Sequence, residues 1–417
     1  MLKINSQVPA ARTGPMMNFV TAPAISLLRQ FPGVAPAALV LADDLTGACD
    51  AGIGFAKRGL LTRVAFCPVA AESADVTILS SNTRTMTPSA ARNRIVELLQ
   101  TAPLPEGVAF RKIDSTLRGN VVSECEAMLG ALGFSYGVLA PSLPSQGRIV
   151  QNGALEVRDI AGAWSIDIPS LFQDQGAAIA CLPTGQSSRE LREAIEDEAS
   201  RGARYILCDA VTEADLQTIA EALHVCSPPP LWIGSAGLAD AAAAILAPHA
   251  ARSSTAASHW SAAPDPSLLC IGSNHAVSSM QMAHLCSNTG VARLDASTAE
   301  PDEVRSALSQ RSVAALCLDH ATADPEQIRE QLRAATAAGL RRILLTGGDT
   351  AELICRAAGV NDLLVCGEAL PGVAEGVVEG GLLDQVVFAT KSGGFGQQDC
   401  LTRLLSPVPG SAETERA

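Results

Sequence analysis

The chain has 417 residues, 47% of them hydrophobic and 18% charged, which at about 150 residues per domain suggests two or three domains with cores that need no metal or disulfide. Aromatic residues are only 3%, so those cores must be built from Ala, Val, Leu and Ile. Thirty Lys and Arg against 43 Asp and Glu leave a formal charge of −13, which disfavours a general nucleic-acid binder but not a local basic pocket for an anionic substrate. Residues 1–36 are rich in Pro and Ala without a clear period and read as an N-terminal extension. From Ala38 the pattern alternates. Strands are expected at Ala38–Ala42, Val76–Ser80, Val108–Ile113, Tyr136–Ala140, Arg204–Asp209 and Leu231–Gly234. Helices are expected near Ala48–Lys57, Pro88–Gln100, Val121–Leu129, Arg189–Ser200 and Glu213–His224, with a hairpin at Asn152–Ile168. Residues 248–266 are rich in Ala, Ser and Pro and read as a linker. The alternation then restarts. Strands are expected at Leu268–Gly272, Val291–Leu294, Val313–Leu318, Arg342–Leu345, Leu363–Val365 and Gln385–Ala389, with helices near Val277–Cys286, Pro301–Gln310, Glu326–Ala338 and Ala351–Ala358. This is an α/β pattern: two α/β domains with mostly parallel sheets, residues 37–247 and 267–417, and an active-site cleft between them.

Twelve cysteines are scattered singly, and the nearest two are Cys355 and Cys366. No CxxC or metal-like cluster occurs, so buried reduced thiols in a reducing cytoplasm are expected. No apolar run is long enough to span a membrane, and the N-terminus lacks the regions of a signal peptide.

Ligands of parallel sheets bind at the carboxyl ends of strands, so the strand exits carry the functional reading. The first exit presents Asp43 and Asp44, then Leu45, Thr46 and Gly47. Paired carboxylates there suit a general base, a hydroxyl acceptor or a magnesium ligand, although one Asp alone would serve as a helix cap. The second exit carries Arg84, whose guanidinium suits a carboxylate and could equally be a surface charge. The third packs Lys112, Asp114, Ser115, Thr116, Arg118 and Gly119 into one turn. The chain uses 26 Arg and only four Lys, Lys3, Lys57, Lys112 and Lys391. Two of the four fall in polar strand-exit turns, which suggests that a point charge is needed there. In the second half, Gly272 and Ser273, Gly347 and Gly348, and Lys391 through Gly396 are glycine-rich turns before helices. Such turns let backbone N–H groups and a helix N-terminus hold phosphate. His275 is a further candidate. There is no Walker P-loop, no dinucleotide fingerprint and no HExxH.

These turns together resemble the four-carbon acid sugar kinases. The resemblance rests on ADDLTGACDAG (42–52), KIDSTLRGN (112–120), APSLPSQGR with the following NG (140–153), LWIGSAGLA (231–239), TGGDTA (346–351), Gly367–Glu368 with Pro371–Gly372–Val373, and TKSGGFG (390–396). It spans roughly residues 38–405. The stretch before Arg84 reads SSNT, where relatives usually carry an acidic residue, and GSNHA departs from the commoner GSCS turn. The resemblance implies an N-terminal acid-sugar domain, a C-terminal ATP domain, and γ-phosphoryl transfer to the terminal hydroxyl of threonate, erythronate or 3-oxo-tetronate. It implies substrate contacts at Asp43 or Asp44, Arg84, Lys112, Ile113, Asp114 and Ser115. It implies nucleotide contacts at Ser273, Gly347, Gly348, Asp349, Thr350, Gly393, Gly394, Phe395 and Gly396. From the residues themselves, Arg84 and Lys112 would hold the acid, Lys391 and the glycine turns the triphosphate, and magnesium would bridge its oxygens. Asp114 or one of Asp43 and Asp44 would accept the hydroxyl proton. The partners are then ATP and a small anionic sugar acid, not nucleic acid or membrane; a homo-oligomer stays open. A non-catalytic ligand-binding protein with the same cleft is the alternative.

Overall fold

A computed structural model of the chain describes residues 35–66, 74–159, 162–247, 258–272 and 275–405. Residues 1–34 of the expected extension and 248–257 of the expected linker lie outside the described residues. In chain order the first half contributes β1 (Ala38–Ala42), β2 (Thr62–Ala65), β3 (Val76–Ser80), β4 (Val108–Lys112), β5 (Gly137–Ala140), β6 (Arg148–Gln151), β7 (Ala154–Asp159), β8 (Gly162–Asp167), β9 (Ile179–Leu182), β10 (Tyr205–Cys208) and β11 (Leu231–Gly234). The second half contributes β12 (Ser267–Ile271), β13 (Ala292–Asp295), β14 (Val313–Cys317), β15 (Arg342–Thr346), β16 (Asp362–Leu370), β17 (Val373–Glu379) and β18 (Val387–Lys391). The fold is α/β with a large, mostly parallel sheet, as the alternation implies.

The two halves share one sheet of fifteen strands, in the order β13-β14-β12-β15-β18-β17-β16-β2-β3-β1-β4-β11-β5-β10-β9. The joint is the antiparallel pair β2–β16, with Thr62 opposite Val365 and Ala65 opposite Asp362. Each half would otherwise present an open strand edge there, and the pairing satisfies both. Within the large sheet, antiparallel pairing is confined to this joint and the β16–β17–β18 meander. The expected hairpin gains a third strand and forms a separate antiparallel sheet, β6-β7-β8.

Helix Leu45–Ala56 packs against strands of both halves. It is buried on nearly every side, which its sequence LTGACDAGIGFA permits, since two glycines allow close approach. A Cβ on Gly52 would meet Thr62 and Val365 side chains at 3.2 Å, and one on Gly54 would lie 2.8 Å from the Asp240 Cα. One continuous apolar core therefore runs from Val40 and Ile78 to Ile343 and Phe388. The described part of the expected linker is packed. Helix His259–Ala262 buries Trp260, whose Nε1 donates to the Leu404 carbonyl at 2.7 Å.

Other departures have local causes. Helix Ala236–Leu246 (AGLADAAAAIL) is apolar on most faces, so no amphipathic period marks it. The expected helix at Ala351 starts at Gly348, and the expected strand at Gln385 runs instead from Val387 to Lys391. Among the described residues no helix is long and apolar enough to cross a membrane.

Candidate functional site

The carboxyl ends of β1, β3 and β4 lie side by side, because β1 pairs in parallel with both neighbours. Asp44 caps helix Leu45–Ala56 and accepts from the Gly47 N–H at 2.8 Å, as the sequence pattern suggests. It also accepts from Thr46 Oγ1 at 3.0 Å and from Arg84 Nη1 at 2.6 Å. Arg84 forks onto Asp43, with Nε to Oδ2 at 2.7 Å and Nη2 to Oδ1 at 2.8 Å. Its Nη2 is 3.7 Å from Asp114 Oδ1. The SSNT segment braces this arginine. Ser81 Oγ donates to the Ala42 carbonyl at 2.8 Å, and the Thr83 N–H donates to the Asp43 carbonyl at 3.0 Å. Asn120 Nδ2 then donates to the carbonyls of Thr83 and Met86.

Asp114 is held by Arg118, Nε at 2.8 Å and Nη2 at 2.7 Å, and by Thr116. Burial pushes its carboxyl up, but the Arg118 hydrogen bonds and the nearby Arg84 hold it well below the usual range. Asp44 behaves oppositely. Burial raises its pKa, Arg84 only partly offsets this, and the adjacent Asp43 raises it further. Lys112 Nζ donates to the Ile113 carbonyl at 3.0 Å. Among the described residues Lys112 has no carboxylate within ion-pair distance.

The second half supplies its turns from the opposite side. Gly347 has φ +96, in the region that favours glycine, and its N–H donates to the Lys391 carbonyl at 3.0 Å. Helix Gly348–Ala358 starts at the next residue. The loop after β18 is held by helix Ala276–Asn288. Ser278 Oγ donates to the Gly393 carbonyl at 2.8 Å, and Gln281 Nε2 donates to the carbonyls of Phe395, Gly396 and Gln397 at 2.9, 3.0 and 2.9 Å. In a trans peptide, N–H and C=O point opposite ways. Drawing these carbonyls onto the helix turns the N–H groups of Gly394 and Gly396 away from it.

The two sets of turns touch. A Cβ on Gly348 would stand 2.3 Å from Asp44 Oδ2. A single recess is lined by Asp44, Thr46, Gly47, Asp50, Arg84, Lys112, Asp114 and Ser115, with Leu143 and Ala236, and by Gly372, Ser392 and Phe395 from the second half.

The sugar-binding N-terminal domain family matches residues 38–242, and the nucleotide-binding C-terminal domain family matches residues 325–401. The D-threonate kinase of Cupriavidus necator is 30% identical over 405 residues, 87% of this chain and 96% of its own. The chain belongs to the four-carbon acid sugar kinase family. The 3-oxo-tetronate kinase of Pseudomonas fluorescens is 27% identical, over 89% of this chain and 96% of its own. A solved Haemophilus influenzae protein superposes with a TM-score of 0.65 at 20% identity, covering 88% of this chain and 98% of its own, which shows the shared fold.

Within this member of the acid sugar kinases, Asp43, Asp44, Arg84, Lys112, Ile113, Asp114 and Ser115 gather at one place, though not all face the recess. Asp43 is 2% exposed and spent on Arg84, and Ile113 is buried. Arg84 is itself clamped by carboxylates, so much of its fork is occupied before any ligand arrives. Gly347, Gly348, Asp349 and Thr350 form the turn and first turn of one helix. Thr350 is buried and bonded to His320 Nε2 at 3.1 Å, with Gly272 bare beside both. Gly393, Gly394, Phe395 and Gly396 form the neighbouring loop. Lys391 ends β18 and is only 1% exposed, with Nζ donating to the Ser392 carbonyl at 2.9 Å beneath that loop. Burial pushes its pKa down to about 8. His275 caps helix Ala276–Asn288 and lies against Gly394. Ser273 lies outside the described residues.

Sequence reasoning missed Asp50, Ser278, Gln281 and His320. Two had readable signals. Asp50 follows Thr46 and Gly47 at helical spacings of four and three, which puts it on their stripe. Gln281 is a polar residue on the buried stripe shared by Val277, Met282 and Leu285.

Proposed function

We propose that the protein transfers the γ-phosphoryl group of ATP to the terminal hydroxyl of a four-carbon sugar acid. The first half, 37–247, binds the acid, and the second half, 267–417, binds the nucleotide, joined through 248–266. What carries this reading is the contact between Gly348 and Asp44, which puts a phosphate-type turn against a buried carboxylate beside a recess whose lysine has no carboxylate partner among the described residues.

Lys112 takes the substrate carboxylate, because its ammonium has no carboxylate partner, with Ser115 beside it. Arg84 keeps Asp43 and Asp44 in register. Asp44 accepts the proton of the attacking hydroxyl: its raised pKa favours taking a proton, whereas Asp114 is held ionised by two arginines and is a poor base. The hydroxyl oxygen bonds to the γ-phosphorus, the bond to the bridging oxygen breaks, and ADP leaves. The N–H groups of the glycine turns and the start of helix Gly348–Ala358 hold the phosphates, with Lys391 supporting the loop from below.

Magnesium fits this arrangement without a protein cage. No group of three or more metal-ligating side chains occurs among the described residues, and magnesium is commonly held by one or two carboxylates plus substrate phosphates. Asp349, exposed in the first turn beside Gly347 and Gly348, would hold it. The ion would neutralise charge on the transferring phosphoryl group.

The test is ATP-dependent ADP release against D- and L-threonate, D- and L-erythronate and 3-oxo-tetronate, with the phosphorylated carbon identified by phosphorus NMR. D-threonate leads the panel, because relatives at 30% and 27% identity carry that activity in their names. Acid-dependent ADP release with phosphate on C4 is expected. Binding of acid and ATP without turnover would instead make the protein a non-catalytic sensor.

A further inference from the structure

Among the described residues, Asp50 is the one carboxylate of the recess that no arginine holds. Asp43, Asp44 and Asp114 are each bonded to an arginine. Asp50 makes no hydrogen bond or ion pair among the described residues, yet it lines the recess with Lys112 and Ser115. Its place is set by helix geometry, since Thr46, Gly47 and Asp50 share one stripe of helix Leu45–Ala56. The backbone cannot supply its partner, because the residue lies inside a helix whose amides are bonded along its axis.

We propose that Asp50 is the specificity-determining acceptor for the C3 hydroxyl of the substrate, so that the site selects a polyhydroxy acid over a 3-oxo acid. This rests on the kinase reading above. An ionised carboxylate only accepts hydrogen bonds. The C3 hydroxyl donates to it, whereas the C3 carbonyl of the 3-oxo acid would face it lone pair to lone pair. A site that bonds a substrate hydroxyl rejects the analogue lacking it. Lys112, fixed on the neighbouring strand end, takes the carboxylate, so cation and anion of the recess read opposite ends of one small acid. Burial, helped by Glu368 and Asp44 and opposed by Lys112, pushes Asp50 up to about 6, so it is largely ionised at neutral pH.

The experiment compares wild type with Asp50→Asn on threonate, erythronate and 3-oxo-tetronate, recording kcat/KM for each acid, KM for ATP, and Tm. Asparagine keeps the shape and adds an N–H donor that a carbonyl accepts. The variant should lose about 10- to 100-fold in kcat/KM on the preferred hydroxy acid. Its hydroxy-to-oxo preference should fall by at least about tenfold, with Tm and the KM for ATP unchanged. A change under about threefold on every acid would overturn the proposal, and so would an equal loss on hydroxy and oxo acids, which marks a general rather than a discriminating role. Wild type that turns over the 3-oxo acid best would also overturn it, leaving the kinase reading intact. Wild type inactive on every acid would sink the kinase reading itself. If Asp50→Asn does not fold, Asp50→Ser is judged by the same ratio.

Discussion

Replacing Gly348 by alanine tests whether the two halves meet as described. The new methyl would stand 2.3 Å from Asp44 Oδ2 and 2.9 Å from its Cγ, whereas comfortable contacts lie near about 3.5 Å. The pair must therefore separate by roughly 1 Å. Asp44 cannot swing freely, because Arg84 at 2.6 Å, the Gly47 N–H at 2.8 Å and Thr46 at 3.0 Å all hold its carboxylate. Losing such bonds costs about 1–3 kcal/mol, and backing the helix out of the core costs about the same. Better helix propensity returns up to about 1 kcal/mol. The net is a destabilisation of about 0–3 kcal/mol, a Tm drop of a few degrees. Activity should fall far more, because a shift of about 1 Å at a reacting centre costs on the order of 100-fold. Coupled ADP release gives kcat, and scanning calorimetry gives Tm. Gly130→Ala is the control. It lies in helix Val121–Leu132 with no atom within 4 Å of the added methyl, so activity should be unchanged. Wild-type kcat in Gly348→Ala would refute contact between the catalytic carboxylate and the phosphate turn.

Asp44→Asn should lower kcat by about 10²–10⁴-fold with little change in the KM for ATP; a kcat within a factor of about three would remove Asp44 as base. Arg84→Met should destabilise the protein by about 3–5 kcal/mol, because it strands buried carboxylates, and urea unfolding that shifts by less than about 1 kcal/mol would show that they find other partners. Gln281→Leu removes three hydrogen bonds to the loop carbonyls. It should raise the KM for ATP about tenfold and leave that for the acid alone, whereas equal changes in both would mean the loop does not serve the nucleotide specifically. Lys391, pushed down to about 8 by burial, binds fewer protons folded than unfolded between that value and its ordinary one near 10.5. Its contribution to stability thus rises with pH across that window. Lys391→Met should be more stable than wild type near neutral pH, with the gap closing above about pH 10; a pH-independent gap would mean the ammonium is not under desolvation stress.

The sequence alone determined the alternation of strands and helices, and with it the strand exits where Asp44, Arg84, Lys112 and the glycine turns sit. These are local quantities: apolar runs, helix caps and glycines before helices are written in consecutive residues. Helix Glu213–His224 emerged with the expected bounds because its capping box is local. The tertiary structure decided what each side chain faces. Arg84 reads as a free guanidinium in SSNTR, and only folding reveals three carboxylates around it. Lys391 reads as a loop cation, and only the length of β18 buries it. Asp50 reads as one polar residue in an apolar helix until Lys112 and Ser392 close around it. The junction of the halves is likewise a pairing of β2 with β16, some three hundred residues apart in the chain. Such contacts depend on the register and bend of the whole sheet, which no window of sequence contains.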